Sequence, residues 1–145
     1  MPKSRDFSNQ VLGLIFRGEP IPGLARDAAV PLTNLYVSLH SAPVSVGGDQ
    51  SNNEITGLSG LTRLAIARTS AGWAPVSASQ QMRNAALAQY GEITSGTATA
   101  TDVAIGTSAG NPSTVLYTGA LTASRALATG IQPQFAANAL TAQEL

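Results

Sequence analysis

The chain contains no cysteine and only one histidine, His40. The first absence removes disulfides, thiolate nucleophiles and cysteine-type zinc sites together. It leaves the redox compartment open, because a cysteine-free chain suits the cytosol and an exposed particle equally well. Charge is scarce as well: 11% of the 145 residues are charged, against about 25% in an ordinary globular chain. The eight basic and eight acidic residues cancel to a formal net charge of zero. Neutralising phosphates requires a basic field, so no nucleic-acid partner is expected. Long apolar runs are missing too. Val11–Phe16 is far too short to span a bilayer, and no small-residue cleavage site follows it, so neither a membrane partner nor a secretion signal is expected.

The charge deficit is uneven. From Ile93 to Leu145 the only charged side chains are Asp102, Arg125 and Glu144, in a stretch rich in Ala, Thr, Ser and Gly. Interface cores lose charged residues first, so this segment reads as a surface meant to be covered. A solvated sheet face coated with Ser and Thr is the plainer alternative.

The residues that chemistry needs are few and scattered. His40 falls on the polar face of a predicted strand with Ser38 two residues away, but no nucleophile elbow or Ser/Asp/His order accompanies them. A hydrogen-bonding role at a surface or interface is expected for it. The acidic residues do not converge in sequence as a glycosidase pair or a calcium cage would. The densest group, Asp49, Asn52, Asn53 and Glu54, lacks EF-hand spacing and fits a polar turn, with a structural cation as the alternative. Neither Gly47-Gly48 nor Gly57 and Gly60 is followed by the Lys-Ser/Thr of a phosphate loop. No catalytic residue, no metal and no cofactor are expected, and the chain is not expected to be an enzyme.

What is present is a helix followed by many short strands. Phe7, Val11, Leu14 and Ile15 recur at helical spacing, with Asp6 placed to cap the start, Arg17 near the last carbonyls and Gly18 at the left-handed end position. So short a helix needs a surface to lie on, either its own sheet or a neighbouring subunit. Pro20, Pro22, Gly23 and Pro31 make Glu19–Pro31 a connector. The expected division is therefore an arm over 1–31 and a β domain over 32–145. In the latter the period changes to two. Asn34–His40, Thr62–Thr69, Thr97–Thr107, Thr114–Leu121, Arg125–Thr129 and Asn138–Gln143 are strand candidates punctuated by Gly and Pro, which argues a sandwich or barrel. Ser77–Tyr90 is rich in helix formers, although a strand would also tolerate it. Trp73, between Gly72 and Pro75, either fills the core or anchors an interface.

Several segments together carry a resemblance. They are Asp6-Phe7-Ser8-Asn9, Leu14 to Gly18, Asn34 to Pro43, Asn53-Glu54-Ile55 with Leu64, Asn84 to Tyr90, Val103 to Gly106, and Val115 to Leu121. So arranged, the chain resembles a widespread family of small tailed-phage virion proteins, often labelled tail-fibre-like in genomes. Some of its members serve as cement or decoration proteins on the head. The resemblance implies a mainly β fold, a jelly-roll-like antiparallel β-sandwich with a short N-terminal α-helix, in which Asn84–Tyr90 is a strand. It also implies a dimer or trimer of the chain itself bound to major capsid protein. The loop Thr56–Leu61 departs from the family by being more apolar. On this reading the chain is a cement protein on the outer surface of the phage head, made in the host cytoplasm. The alternative is a tail, baseplate or fibre-associated module that binds a receptor or another tail protein. The candidate interface residues are Phe7, Val11, Leu14, Ile15, Phe16, Trp73 and Tyr117, with the helix and connector as the arm that engages a neighbour.

Overall fold

A computed structural model describes residues 5–20, 32–45, 49–76 and 80–144, with the backbone alone at 5–7 and 76. The chain is mainly β, with antiparallel sheets and one short N-terminal helix, as expected. Its contacts divide it into two compact units. One comprises Met1–Asn34, Ala67–Ala88 and Phe135–Leu145; the other comprises Leu35–Ile66 and Gln89–Gln134.

In the first unit α1 spans Arg5–Leu12 and passes into a π-helical turn, Gly13–Arg17. Gly18 ends it as expected, with φ +67° and its N–H bonded to the Gly13 carbonyl. The expected cap is corrected: Asp6 lies inside the helix, because Arg5 is already helical. Arg17 stands in the last turn, as expected; its guanidinium pairs with Glu19 at 2.9 Å, and the last carbonyls are served from elsewhere in the unit. The helix packs against a three-stranded antiparallel sheet formed by β3 (Trp73–Val76), β4 (Gln81–Asn84) and β9 (Thr141–Gln143), in the order β3-β4-β9. Pro75 is accommodated because β3 is an edge strand with one neighbour.

The helix that composition favours around Ser77–Tyr90 does not form, and 77–79 lie outside the described residues. Gln81–Asn84 is a strand with Met82 and Asn84 inward, and the chain resumes as β5, Ala88–Gln89. Tertiary partners override propensity here: Asn84 N–H bonds the Leu140 carbonyl and Tyr90 N–H the Pro133 carbonyl, bonds that a local helix would forfeit. Between the strands Leu87 is 54% exposed. The strand implied over Asn84–Tyr90 is therefore present only at its two ends.

In the second unit a four-stranded sheet runs in the order β2-β1-β6-β7, with β1 at Asn34–His40, β2 at Leu64–Ala67, β6 at Thr97–Gly106 and β7 at Val115–Ala128. Leu35, Val37 and Leu39 are buried, as alternation requires, but Ser38 and His40 on the other face are buried too. The two strands expected over Thr114–Leu121 and Arg125–Thr129 are halves of one strand. Asp102 pairs with Ala120 and Ala100 with Arg125, so Leu121–Ser124 bulge opposite Thr101 alone. The remaining strands, β5 and β8 (Gln134–Phe135), pair with each other.

Candidate functional site

The seat of the helix is built around Phe16 and Trp73, both 0% exposed, their rings edge-to-face with centroids 4.5 Å apart. Leu12 and Met82 of the same unit are buried as well. Arg68 holds the end of the π turn: its guanidinium donates to the carbonyls of Ile15 at 2.6 Å, Leu14 at 2.5 Å and Leu32 at 2.9 Å. A helix end leaves such carbonyls without partners, and a cation there also answers the helix dipole. Nothing local in the sequence marks Arg68 for this role, since the pairing spans more than fifty residues. Of the residues expected at an interface, Phe16 and Trp73 are thus covered by the chain itself. Val11, Leu14 and Ile15 are half-buried, and the Phe7 side chain lies outside the description. The far end of the unit is tied by Asn84. Its Nδ2 donates to the carbonyls of Ala86 and Ala136, and its Oδ1 accepts from Leu140 N–H, each at 2.8 Å.

In the second unit the polar residues of β1 enter a buried network. His40 is 0% exposed, so its expected place at a surface is corrected: β1 has neighbours on both sides and its polar face is covered. His40 Nδ1 lies 3.0 Å from the Asn52 carbonyl, which can only accept, so the proton sits on Nδ1. Ser38 Oγ then donates to Nε2 at 2.7 Å. Burial holds the imidazole pKa below its ordinary value and keeps the ring neutral. Gln50, which the sequence did not single out, links this pair onward. Its Nε2 donates to Ser38 Oγ and to the Tyr36 carbonyl, each at 2.8 Å, and its Oε1 accepts from Ser113 Oγ at 2.7 Å. Ser113 Oγ in turn accepts from the N–H groups of Thr107 and Ser108.

A serine hydrogen-bonded to a histidine invites comparison with a nucleophile and its base. The environment argues otherwise. Ser38 is 2% exposed, and its oxygen is already engaged as an acceptor from Gln50. The arrangement is a closed structural network whose members satisfy one another.

The Asp49–Glu54 cluster is committed in the same way. Asp49 accepts from the N–H groups of Ser51 at 2.8 Å and Ser113 at 2.6 Å, and these bonds hold its pKa below the usual carboxylate value. Glu54 meets Arg63 in two bonds of 2.7 Å. Among the described residues no group of three or more His, Cys, Asp or Glu is placed to hold a metal. Gly60, read against a phosphate cradle, has φ +89° and sits so close that a β-carbon would collide with the Glu92 carbonyl.

Above this cluster lies a half-open cavity of about 240 Å³, lined by Glu54, Ile55, Thr62, Arg63, Tyr90 and Asn111 among others. The ion pair cancels its charge. Its only aromatic ring, Tyr90, is buried and bonds the Val37 carbonyl. Burial pushes the Tyr90 phenol pKa well up, so it stays protonated. Neutral hydrogen-bonding residues, Ser38 and Asn111 among them, line it beside the ion pair.

The barest surface is β7. Thr118–Ala120 and Thr122–Ala126 are exposed, and the sole charge along the strand is Arg125. Tyr117, the last of the expected interface residues, is half-buried on it. Asp102, one of the three charges of the C-terminal segment, is buried on β6 and accepts from Thr101 Oγ1. The charge-poor stretch read from the sequence thus includes one long strand that is exposed over most of its length.

Among the described residues no helix is long and apolar enough to cross a membrane. No curated protein matches the chain. A family model described as podophage GP4 fiber I protein gp80 matches residues 3–143. A match over nearly the whole length, on a mainly β chain whose main sheet ends in a bare and exposed strand, places it as a phage structural protein: it belongs to the podophage GP4 fiber I protein gp80 family.

Proposed function

We propose that this protein is a non-enzymatic subunit of the fibre apparatus of a short-tailed phage, where it binds neighbouring virion proteins and copies of itself through uncharged β surface. The observation that carries this reading is β7, exposed over most of its length with one charge; interfaces are depleted of charge in just this way. The family description supports the fibre alternative. The role of head cement bound to major capsid protein rests on the resemblance alone. Each contact would be modest, and repetition around the particle supplies avidity.

Electron microscopy of virions labelled with antibody against the chain tests the assignment. Label confined to the tail and its fibres is expected. Label spread over the icosahedral head would overturn the fibre reading in favour of cement.

A further inference from the structure

The half-open cavity of the second unit is lined by polar groups with bonding capacity to spare. All of its lining residues belong to that unit, and Thr62 and Asn111 among them are exposed. Its volume of about 240 Å³ falls below the roughly 300–1,000 Å³ of sites for drug-sized ligands. A single small ring suits it.

Arg63 decides what chemistry the cavity offers. Its five N–H groups all go to Glu54, to Asn111 and to two carbonyls, so none is left for an anionic ligand. Arginine only donates, so the Asn111 atom that faces it is Oδ1, at 2.6 Å. The amide is thereby oriented, and its Nδ2 has no partner among the described residues. Glu54 takes one bond from Arg63 on each oxygen, both at 2.7 Å. A carboxylate has about four acceptor sites, so each oxygen can accept again. Glu54 Oε2 and Asn111 Oδ1 are bound to the same Nη2 nitrogen. One guanidinium thus holds a spare donor and a spare acceptor side by side on the lining of one cavity. Ile55 and Leu61, both half-buried, add apolar surface to it.

We infer that this cavity binds one neutral sugar ring, through Asn111 Nδ2 as donor and the Glu54 carboxylate as acceptor. A hydroxyl both donates and accepts, so neighbouring hydroxyls of a sugar satisfy the two groups together. A carboxylate ligand would meet the charge of Glu54 and find Arg63 fully used. An ammonium would find Glu54 already neutralised and would leave Asn111 idle. The C–H groups of the ring lie against Ile55 and Leu61. The site is built by the loops around the ion pair, and it does not rest on the fibre reading.

Saturation-transfer NMR on the full chain tests it, with glucose, galactose and N-acetylglucosamine as probes and acetate as the anionic control. At least one sugar is expected to receive saturation at millimolar concentration, and acetate none. Asn111→Asp keeps an oxygen for Arg63 but exchanges the donor for an acceptor. It should weaken sugar binding by about tenfold with circular dichroism unchanged. Thr62→Val, at an exposed hydroxyl of the same lining, should weaken it too and provides a second variant should the first disturb the fold. Absence of transfer to all three sugars overturns the site. So does a signal that acetate matches, or one that both variants leave unchanged, which marks an adventitious contact elsewhere. None of these results bears on where antibody labels the virion, which tests the fibre assignment separately.

Discussion

Arg63 grips Glu54 through two parallel bonds of 2.7 Å, and its remaining three donors are also taken, by the carbonyls of Ser108 and Gly110 and by Asn111 Oδ1. One guanidinium therefore joins the loop after β1 to the loop between β6 and β7. Both side chains are largely buried, at 4% and 11% exposure. The fork is what makes this possible, since lysine has no planar pair of donors. Hydrogen bonding to Glu54, chiefly, raises the already high pKa of Arg63.

Arg63→Ala is accordingly expected to cost about 3–5 kcal/mol, the range for stranding one member of a buried pair. Arg63→Lys should recover only part of the loss. Urea denaturation measures both, and a double-mutant cycle with Glu54→Ala should give less than the sum of the single effects.

Stability should fall with acid in the histidine window. The folded pKa of His40 lies below the ordinary imidazole value of 6.5 because burial disfavours the charged ring. Above that value both states are neutral and the group has no effect. As pH falls through it the unfolded chain takes up the proton first, so stability is lost until the folded pKa is passed, by at most about 1.4 kcal/mol per pH unit. Urea midpoints between about pH 7.5 and about pH 5 should show this slope, and His40→Gln should flatten it. Asp49 acts lower still: the N–H groups of Ser51 and Ser113 depress its folded pKa, so its contribution is lost only as pH falls below the ordinary carboxylate value of 3.8.

The only tryptophan reports on the helix seat. Phe16→Ala should destabilise the protein by about 3–5 kcal/mol and shift Trp73 fluorescence to the red, as the ring that covers it is removed. Deleting residues 1–18 should produce the same spectral shift.

Asn84→Ala leaves two carbonyls and the Leu140 N–H without their partners, at about 1–3 kcal/mol for each group left buried and unbonded. Hydrogen exchange should show the loss first at the Leu140 amide, ahead of global unfolding.

Much of this was legible in the sequence because it depends on local pattern. Period-two alternation placed β1, β2 and β6; the two halves of β7 were found as separate strands because residues 121–124 do break the ladder. Gly18 was recognisable because a left-handed helix end favours glycine. The scarcity of charge after Ile93 is a property of composition and needed no coordinates, and the virion family was legible in the segments that carry the resemblance. What only tertiary structure decided are the partners of polar side chains. His40 looked like a surface residue because its own strand alternates, and Gln50 looked like loop; the sheet neighbours and the Ser113 turn bury both. Gln81–Asn84 became a strand against its propensity because Trp73–Val76 and Thr141–Gln143 bond it from either side. Arg63 and Arg68 are ordinary cations until carbonyls from distant segments surround them. The physical reason is common to all: alternation and turn chemistry act over a few residues, whereas hydrogen-bond satisfaction is settled by whichever groups the fold brings within 3 Å.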